Sequence, residues 1–283
     1  MKQILACLDG SVYSESVVDN AAWAASQLNA AVVALHTLGR RNVGNAPVDL
    51  SGNLDASERE TLLAELAELD AVQARLTQKR GRLILAQAKQ RLVERNVGEI
   101  TERLRHGDVV DTLKDMEGDV DLVVIGKRGE AADFAKLHLG SNLERVLRGA
   151  SRPVLVAARA FRPINRCLIA FDNGRSIAKA IDFLADQPLL AGVACELFAV
   201  GSAREADRPM QQAAETLART GLDVAIRREA GDPAEVIAER VRDAEFDLLV
   251  MGAYGHSRIR TLIIGSTTTA LIRSCKVPVL LFR

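Results

Sequence analysis

The chain repeats itself, and the repeat limits the folds open to it more than any other feature. DLVVIGKRG (Asp121 to Gly129) returns 126 residues later as DLLVMGAYG (Asp247 to Gly255). RPVLVA (from Arg152) returns as VPVLLF (from Val277), HGDVVDTL (from His106) as AGDPAEVI (from Ala230), and ILACLDGS (from Ile4) as CLIAFDNG (from Cys167). The offset shrinks from 163 residues at the opening of each copy to about 125 at its close, so the first copy carries extra residues, which fall between Arg40 and about Arg80. The period is too long and the copies too few for a solenoid. The pattern is a tandem duplication of one domain, with expected units 1–158 and 163–283, an insertion at about 40–80 and a joint near Ala157 to Asn165.

Each copy alternates short apolar runs with amphipathic segments. In the first, Ile4–Asp9, Ala30–Leu38, Glu99–Arg105, Val120–Gly126 and PVLVA read as strands. Ser14–Leu28 and the segment opening at Gly140 read as helices. The second copy gives the strands in the same order, at Arg166–Phe171, Glu196–Val200, Asp223–Arg228, Leu248–Met251 and Val279–Phe282. Near-continuous apolar strands between helices predict an α/β fold. Each copy is a doubly wound five-stranded parallel sheet, Rossmann-like, with helices on both faces.

The insertion reads as a loop followed by a helix. Ser57 and Glu60 have the spacing of a capping box, and Leu62, Leu63, Leu66, Leu69, Val72 and Leu76 recur at helical spacing. Continuous to Arg95, the helix would be ~58 Å long, with Gly81 the expected interruption. Its first half is acidic (Glu58, Glu60, Glu65, Glu68, Asp70) and its second basic (Arg75, Lys79, Arg80, Arg82). An antiparallel hairpin, a partner contact and simple packing on its own domain all remain open.

Composition removes several function classes. Lys+Arg and Asp+Glu are both 37, for a formal net charge of +0, so nothing favours broad electrostatic capture of nucleic acid or an acidic membrane. No apolar run approaches the ~20 residues that span a bilayer, and the first residues reach Asp9 before a signal-type apolar stretch could form. Four scattered cysteines (Cys7, Cys167, Cys195, Cys275) without a CxxC pair fit a reducing cytosol, so a cytoplasmic location is expected.

The strongest site signal lies in the second copy, where Gly252 and Gly255 are followed after nine residues by Gly265-Ser266-Thr267-Thr268. Gly252 ends a strand, where a missing Cβ permits a sharp turn and close ligand approach. Gly265 opens a helix, whose first N–H groups lack internal partners and suit a phosphate. Asp172 ends the first strand of that copy, on the same rim of a parallel sheet, and could accept hydrogen bonds from a ribose or an adenine amino group. Ligands commonly bind at that rim. The alternatives are that the glycines serve only as turns and that Asp172, like Asp9 in the first copy, only caps a helix. No Walker lysine follows the glycines, and no nucleophile–base pair stands out. His256, within the loop, either contacts a phosphate or faces solvent. His36, His106 and His138 are scattered and suggest no metal site.

These residues resemble the universal stress protein family in its tandem form, over nearly the whole chain outside the insertion. The glycine spacing of its nucleotide-binding members is matched by Gly252, Gly255, Gly265 and Ser266. LACLDGSVYS, GDPAEVI and VPVLLF resemble its opening strand, third-strand turn and closing strand. The resemblance implies an adenine-nucleotide site, with ATP, with or without magnesium, held by Asp172, Ala170, Met251, Gly252, Gly255, His256, Gly265, Ser266 and Thr267. It also implies closing strands that pair into an internal pseudo-dimer, with a homodimer as a further option. The first copy has Asp9, Gly126, Gly129, Gly140 and Ser141, but ten residues separate Gly129 from Gly140 and Glu130 and Asp133 add negative charge, so it is expected to be the weaker site. The expected function is an ATP-binding stress-response regulator acting on an unknown protein partner. The alternatives are a nucleotide-free interaction scaffold built on the duplicated sheet and inserted helix, and an enzyme acting on an adenylated substrate.

Overall fold

A computed structural model describes residues 1–39, 56–129, 139–201, 207–253 and 265–283. In the first half the strands are β1 (Gln3–Leu8), β2 (Ala31–Leu38), β3 (Ile100–His106), β4 (Leu122–Gly126) and β5 (Val154–Ala157). Its helices are α1 (Ser14–Leu28), α2 (Ala56–Glu94), α3 (Val109–Met116) and α4 (Ser141–Gly149). The second half repeats the order with β6 (Arg166–Ala170), α5 (Arg175–Asp186), β7 (Ala194–Val200), α6 (Asp207–Ala218), β8 (Val224–Glu229), α7 (Pro233–Asp243), β9 (Leu248–Gly252), α8 (Ser266–Ser274) and β10 (Val279–Phe282).

All ten strands form one sheet in the order β3-β2-β1-β4-β5-β10-β9-β6-β7-β8. Pairing is parallel within each half. At the centre β5 and β10 run antiparallel, with Leu155 opposite Leu280, so the closing strands make the expected pseudo-dimer. Both strands are four residues long and buried throughout. Either one alone would be a wholly apolar edge, which mutual pairing removes. The outer edges, β3 and β8, are instead charged (Glu102, Arg103 and Arg105; Arg227, Arg228 and Glu229) and partly exposed.

Strand alternation sends successive residues to opposite faces. Ile4, Ala6 and Leu8 join one core layer with residues of α1, α2, α5 and α6. Leu5 and Cys7 join the other with residues of α3, α4, α7 and α8. The repeated sequence blocks turn out to be repeated joints. Asp121 Oδ2 accepts from Gln3 N at 2.8 Å, and Asp247 Oδ2 accepts from Arg166 N at 3.0 Å, each tying β4 or β9 to the start of its neighbour. In the Gly-Asp blocks, Gly107 and Gly231 take positive φ (120° and 142°). Asp108 then caps α3 and Asp232 caps α7 through backbone N–H groups two residues on.

The insertion corrects two expectations. α2 is a single helix of 39 residues, neither broken at Gly81 nor folded as a hairpin. Gly81 is what allows it to dock: a Cβ there would lie 2.7 Å from Leu104 Cδ1 and 2.9 Å from the His36 ring. The helix already includes Ala56, so it begins at least two residues ahead of the start that the Ser57–Glu60 spacing predicts. Among the described residues, the buried side chains of α2, Leu85, Ala88 and Leu92, all lie in its carboxyl-terminal half. Arg91 clamps it to α1, with Nε and Nη2 donating to Asp19 at 2.9 and 2.8 Å, and Arg95 Nε adds a third bond at 3.0 Å. Those two guanidiniums hold the Asp19 carboxyl below its usual range, although burial pushes the other way.

Candidate nucleotide site

The carboxyl ends of the strands form the candidate site. β1 lies in parallel register with β4, and β6 with β9, so the residues that follow each strand emerge on one rim of their half. In the first half the structure brings Asp9, Gly129 and Gly140 together. Asp9 Oδ1 accepts from Ser11 N at 2.9 Å and from Ser14 Oγ at 3.3 Å. A Cβ on Gly129 would stand 2.9 Å from Asp9 Oδ2, so the carboxylate lies against the glycine turn. Gly140 packs on the same turn, where a Cβ would be 3.5 Å from Arg128 Cα and 3.6 Å from Gly129 N. Ser141 is the first residue of α4. Gly126 meets a different neighbour: a Cβ there would be 2.9 Å from Cβ of the buried Tyr13. In this half, therefore, Tyr13 occupies the space beside the first glycine.

In the second half Asp172 follows β6 and is exposed, and its Oδ1 accepts from Gly174 N at 2.9 Å. The turn is shorter than in the first half, running through Asn173 (φ 57°) and Gly174 into α5 at Arg175, with no aromatic in Tyr13's place. Ala170 and Met251 are buried, 7% and 6% exposed, near the ends of neighbouring strands. Gly252 closes β9, and α8 folds back onto it. Gly265 N donates to Ala253 O at 3.4 Å, and the buried Thr268 Oγ1 lies 3.3 Å from both the Gly252 and Ala253 carbonyls. Ser266 and Thr267, exposed and half-buried, form the first turn of α8. The residues before the two helices match closely in backbone, Gly140 at φ −57°, ψ 131° and Gly265 at φ −54°, ψ 143°. Both first turns therefore present N–H groups that have no acceptor within the helix. Gly255, His256, Glu130, Asp133 and His138 lie outside the described residues.

Three contributors escaped the sequence reading. Thr268 was visible as a hydroxyl in the helix-opening run, but its bond back to the strand end was not. Tyr13 had no signal, because its partner Gly126 lies far along the chain. The third is the helix over the first half's rim: a Cβ on Gly10 would be 2.7 Å from Ile84 Cδ1 of α2. His36, in turn, lies on that rim with Nδ1 2.7 Å from the Leu8 carbonyl. All four cysteines are buried free thiols, and burial, with some help from Asp9, pushes Cys7 up to about 12. None is a poised nucleophile. Among the described residues no cluster of three or more His, Cys, Asp or Glu could hold a metal, and no helix is long and apolar enough to cross a membrane.

Comparison with known proteins agrees with this architecture. The model of the universal stress protein family matches residues 1–158 and 164–283. A universal stress protein of Synechocystis sp. is 36% identical over the full length of both chains. Among solved structures, a universal stress protein from Archaeoglobus fulgidus is similar in fold at TM-score 0.72 and 18% identity, over 99% of this chain and 96% of that one. A functionally unknown protein from Pseudomonas aeruginosa gives TM-score 0.63 at 15% identity, over 100% and 92%.

Proposed function

The chain belongs to the universal stress protein family, and on that premise we propose that it is a cytoplasmic regulator that binds ATP at the strand ends of its second half. The proposed contacts are Asp172, Ala170, Met251, Gly252, Gly255, His256, Gly265, Ser266 and Thr267. Each half, 1–158 and 163–283, is taken as one structural unit, with a weaker site at Asp9, Gly126, Gly129, Gly140 and Ser141.

One observation carries the reading: the first turn of α8 is bonded back onto the end of β9, through Gly265 N and Thr268 Oγ1. The N–H groups of that turn sit at the positive end of the helix dipole and suit a phosphate chain. Asp172, on the same rim, suits the nucleoside. The second half is preferred because its opening turn has no aromatic to match Tyr13, and because its counterpart of α2, α6, has 12 residues against 39. Bound nucleotide would change the surface at the end of β9 and the start of α8, which a partner reads.

The test is to denature purified protein, analyse the supernatant for adenine nucleotide, and titrate ATP by calorimetry into wild type and Gly265→Asp. Released or titratable nucleotide that Gly265→Asp loses supports the reading. No release and no binding by folded wild type overturns it, and leaves the nucleotide-free scaffold, which the exposed half of α2 favours.

A further inference from the structure

Helix α2 has two apolar faces, and its own domain covers one. Gly81, Leu85, Ala88 and Leu92 are buried against the sheet and α1. A second line, Leu62, Leu69, Leu76 and Leu83, recurs every seventh residue. Leu76 and Leu83 lie roughly 150–170° round the helix from the buried line, at ~100° per residue. Leu69, Leu76 and Leu83 are 50%, 61% and 56% exposed, and Val72 beside them is 44% exposed. Gly81 docks beside Leu38, the last residue of β2. Because α2 runs antiparallel to the strands, the residues ahead of Gln78 overhang the carboxyl rim by ~33 Å.

We propose that this overhang pairs with the overhang of a second copy of the chain as an antiparallel two-helix coiled coil. Such a pair needs apolar residues at two positions of every seven; the leucine stripe supplies one of them throughout, and Leu66 supplies the other once. Charge sets the direction. Glu60, Glu65, Glu68 and Asp70 precede the midpoint of the stripe, while Arg75, Lys79, Arg80 and Arg82 follow it. Parallel helices would set like charges side by side. Antiparallel helices crossing near Ala71 set the acidic stretch of one copy along the basic stretch of the other, with Glu65 flanking the second copy's Lys79 at two symmetry-related places. Gln73 and Arg80 fall in the seam with Leu66, so the pair is weaker than an all-leucine zipper and its register is restricted. The closing strands, already joined within the chain, leave no free closing-strand edge for such a dimer. Pairing through α2 instead brings the carboxyl rims of two copies toward each other.

Sedimentation of the full chain across a broad concentration series tests the proposal. Wild type is expected to be a reversible dimer, and Leu69→Glu/Leu76→Glu, at two exposed positions, a monomer with an unchanged circular dichroism spectrum. Glu65→Lys or Lys79→Glu alone should weaken the dimer by about tenfold, given the modest worth of exposed ion pairs. The double reversal in one chain should restore it. A wild type that stays monomeric overturns the proposal, including one whose stripe is covered by its own residues 40–55. So does a dimer that survives the leucine substitutions, and a double reversal that fails to restore pairing overturns the antiparallel arrangement.

Discussion

Lys127, at the end of the first half's fourth strand, donates from Nζ to the carbonyl of Cys275 in the second half at 2.9 Å, and to that of Arg273 at 3.0 Å. It caps the carboxyl end of α8 from across the molecule, the helix end where a cation is favoured. The position equivalent to Lys127 in the second half is Ala253, so the link runs one way only. Burial lowers Lys127 from 10.5 to about 8, and Arg128 adds to the effect while Cys275 opposes it.

The sign of the resulting pH dependence follows from proton counting. Between about 8 and 10.5 the unfolded chain holds a proton on Lys127 that the folded chain has released, so stability rises with pH across that window. Urea midpoints measured on both sides of it should rise in wild type relative to Lys127→Met, while at neutral pH the difference between the two proteins stays flat.

Asp19 is 5% exposed and accepts from both Arg91 and Arg95. Asp19→Asn should cost about 1–3 kcal/mol at neutral pH, because it weakens charge-assisted bonds yet leaves two partly exposed cations. Its carboxyl is held below the ordinary 3.8, so the contribution is complete above that pH and fades as pH falls through the lower folded value. Denaturation of both proteins at neutral and strongly acidic pH should show the gap closing in acid.

Gly81→Ala sets two effects against each other. Alanine favours a helix interior over glycine by ~1 kcal/mol. Its Cβ would, however, meet Leu104, His36 and Leu38 at 2.7, 2.9 and 3.2 Å, and overpacking costs ~1–3 kcal/mol. A net loss is expected in thermal melts. Gly98→Ala, where a Cβ meets nothing within 4 Å, should be nearly neutral.

Leu155 and Leu280 face each other across the antiparallel joint, both fully buried. Leu280→Ala should cost ~2–5 kcal/mol. Because the joint is shared, hydrogen exchange should speed up in β5 as well as in β10; protection lost from β10 alone would mean that the halves do not unfold together.

Local signals were enough for the duplication, the succession of strands along the chain and a helix in the insertion, because strand and helix periods and repeated blocks are written in neighbouring residues. That Asp172 follows a strand and Gly265 precedes a helix was legible for the same reason: a strand end and a helix start can each be recognised alone. What needed the folded chain were the contacts between distant segments. Gly81 reads as a helix breaker until β2 and β3 are seen to press against it. Tyr13 has no meaning for Gly126 until two strands lie side by side. The inward and outward leucines of α2 look like one stripe until Asp19 and the sheet fix which side of the helix is buried. Lys127, an ordinary surface lysine by sequence, becomes a cap because antiparallel closure of β5 on β10 carries α8 to it. Sequence records the preferences of each segment, and only packing settles which surfaces those preferences are spent on.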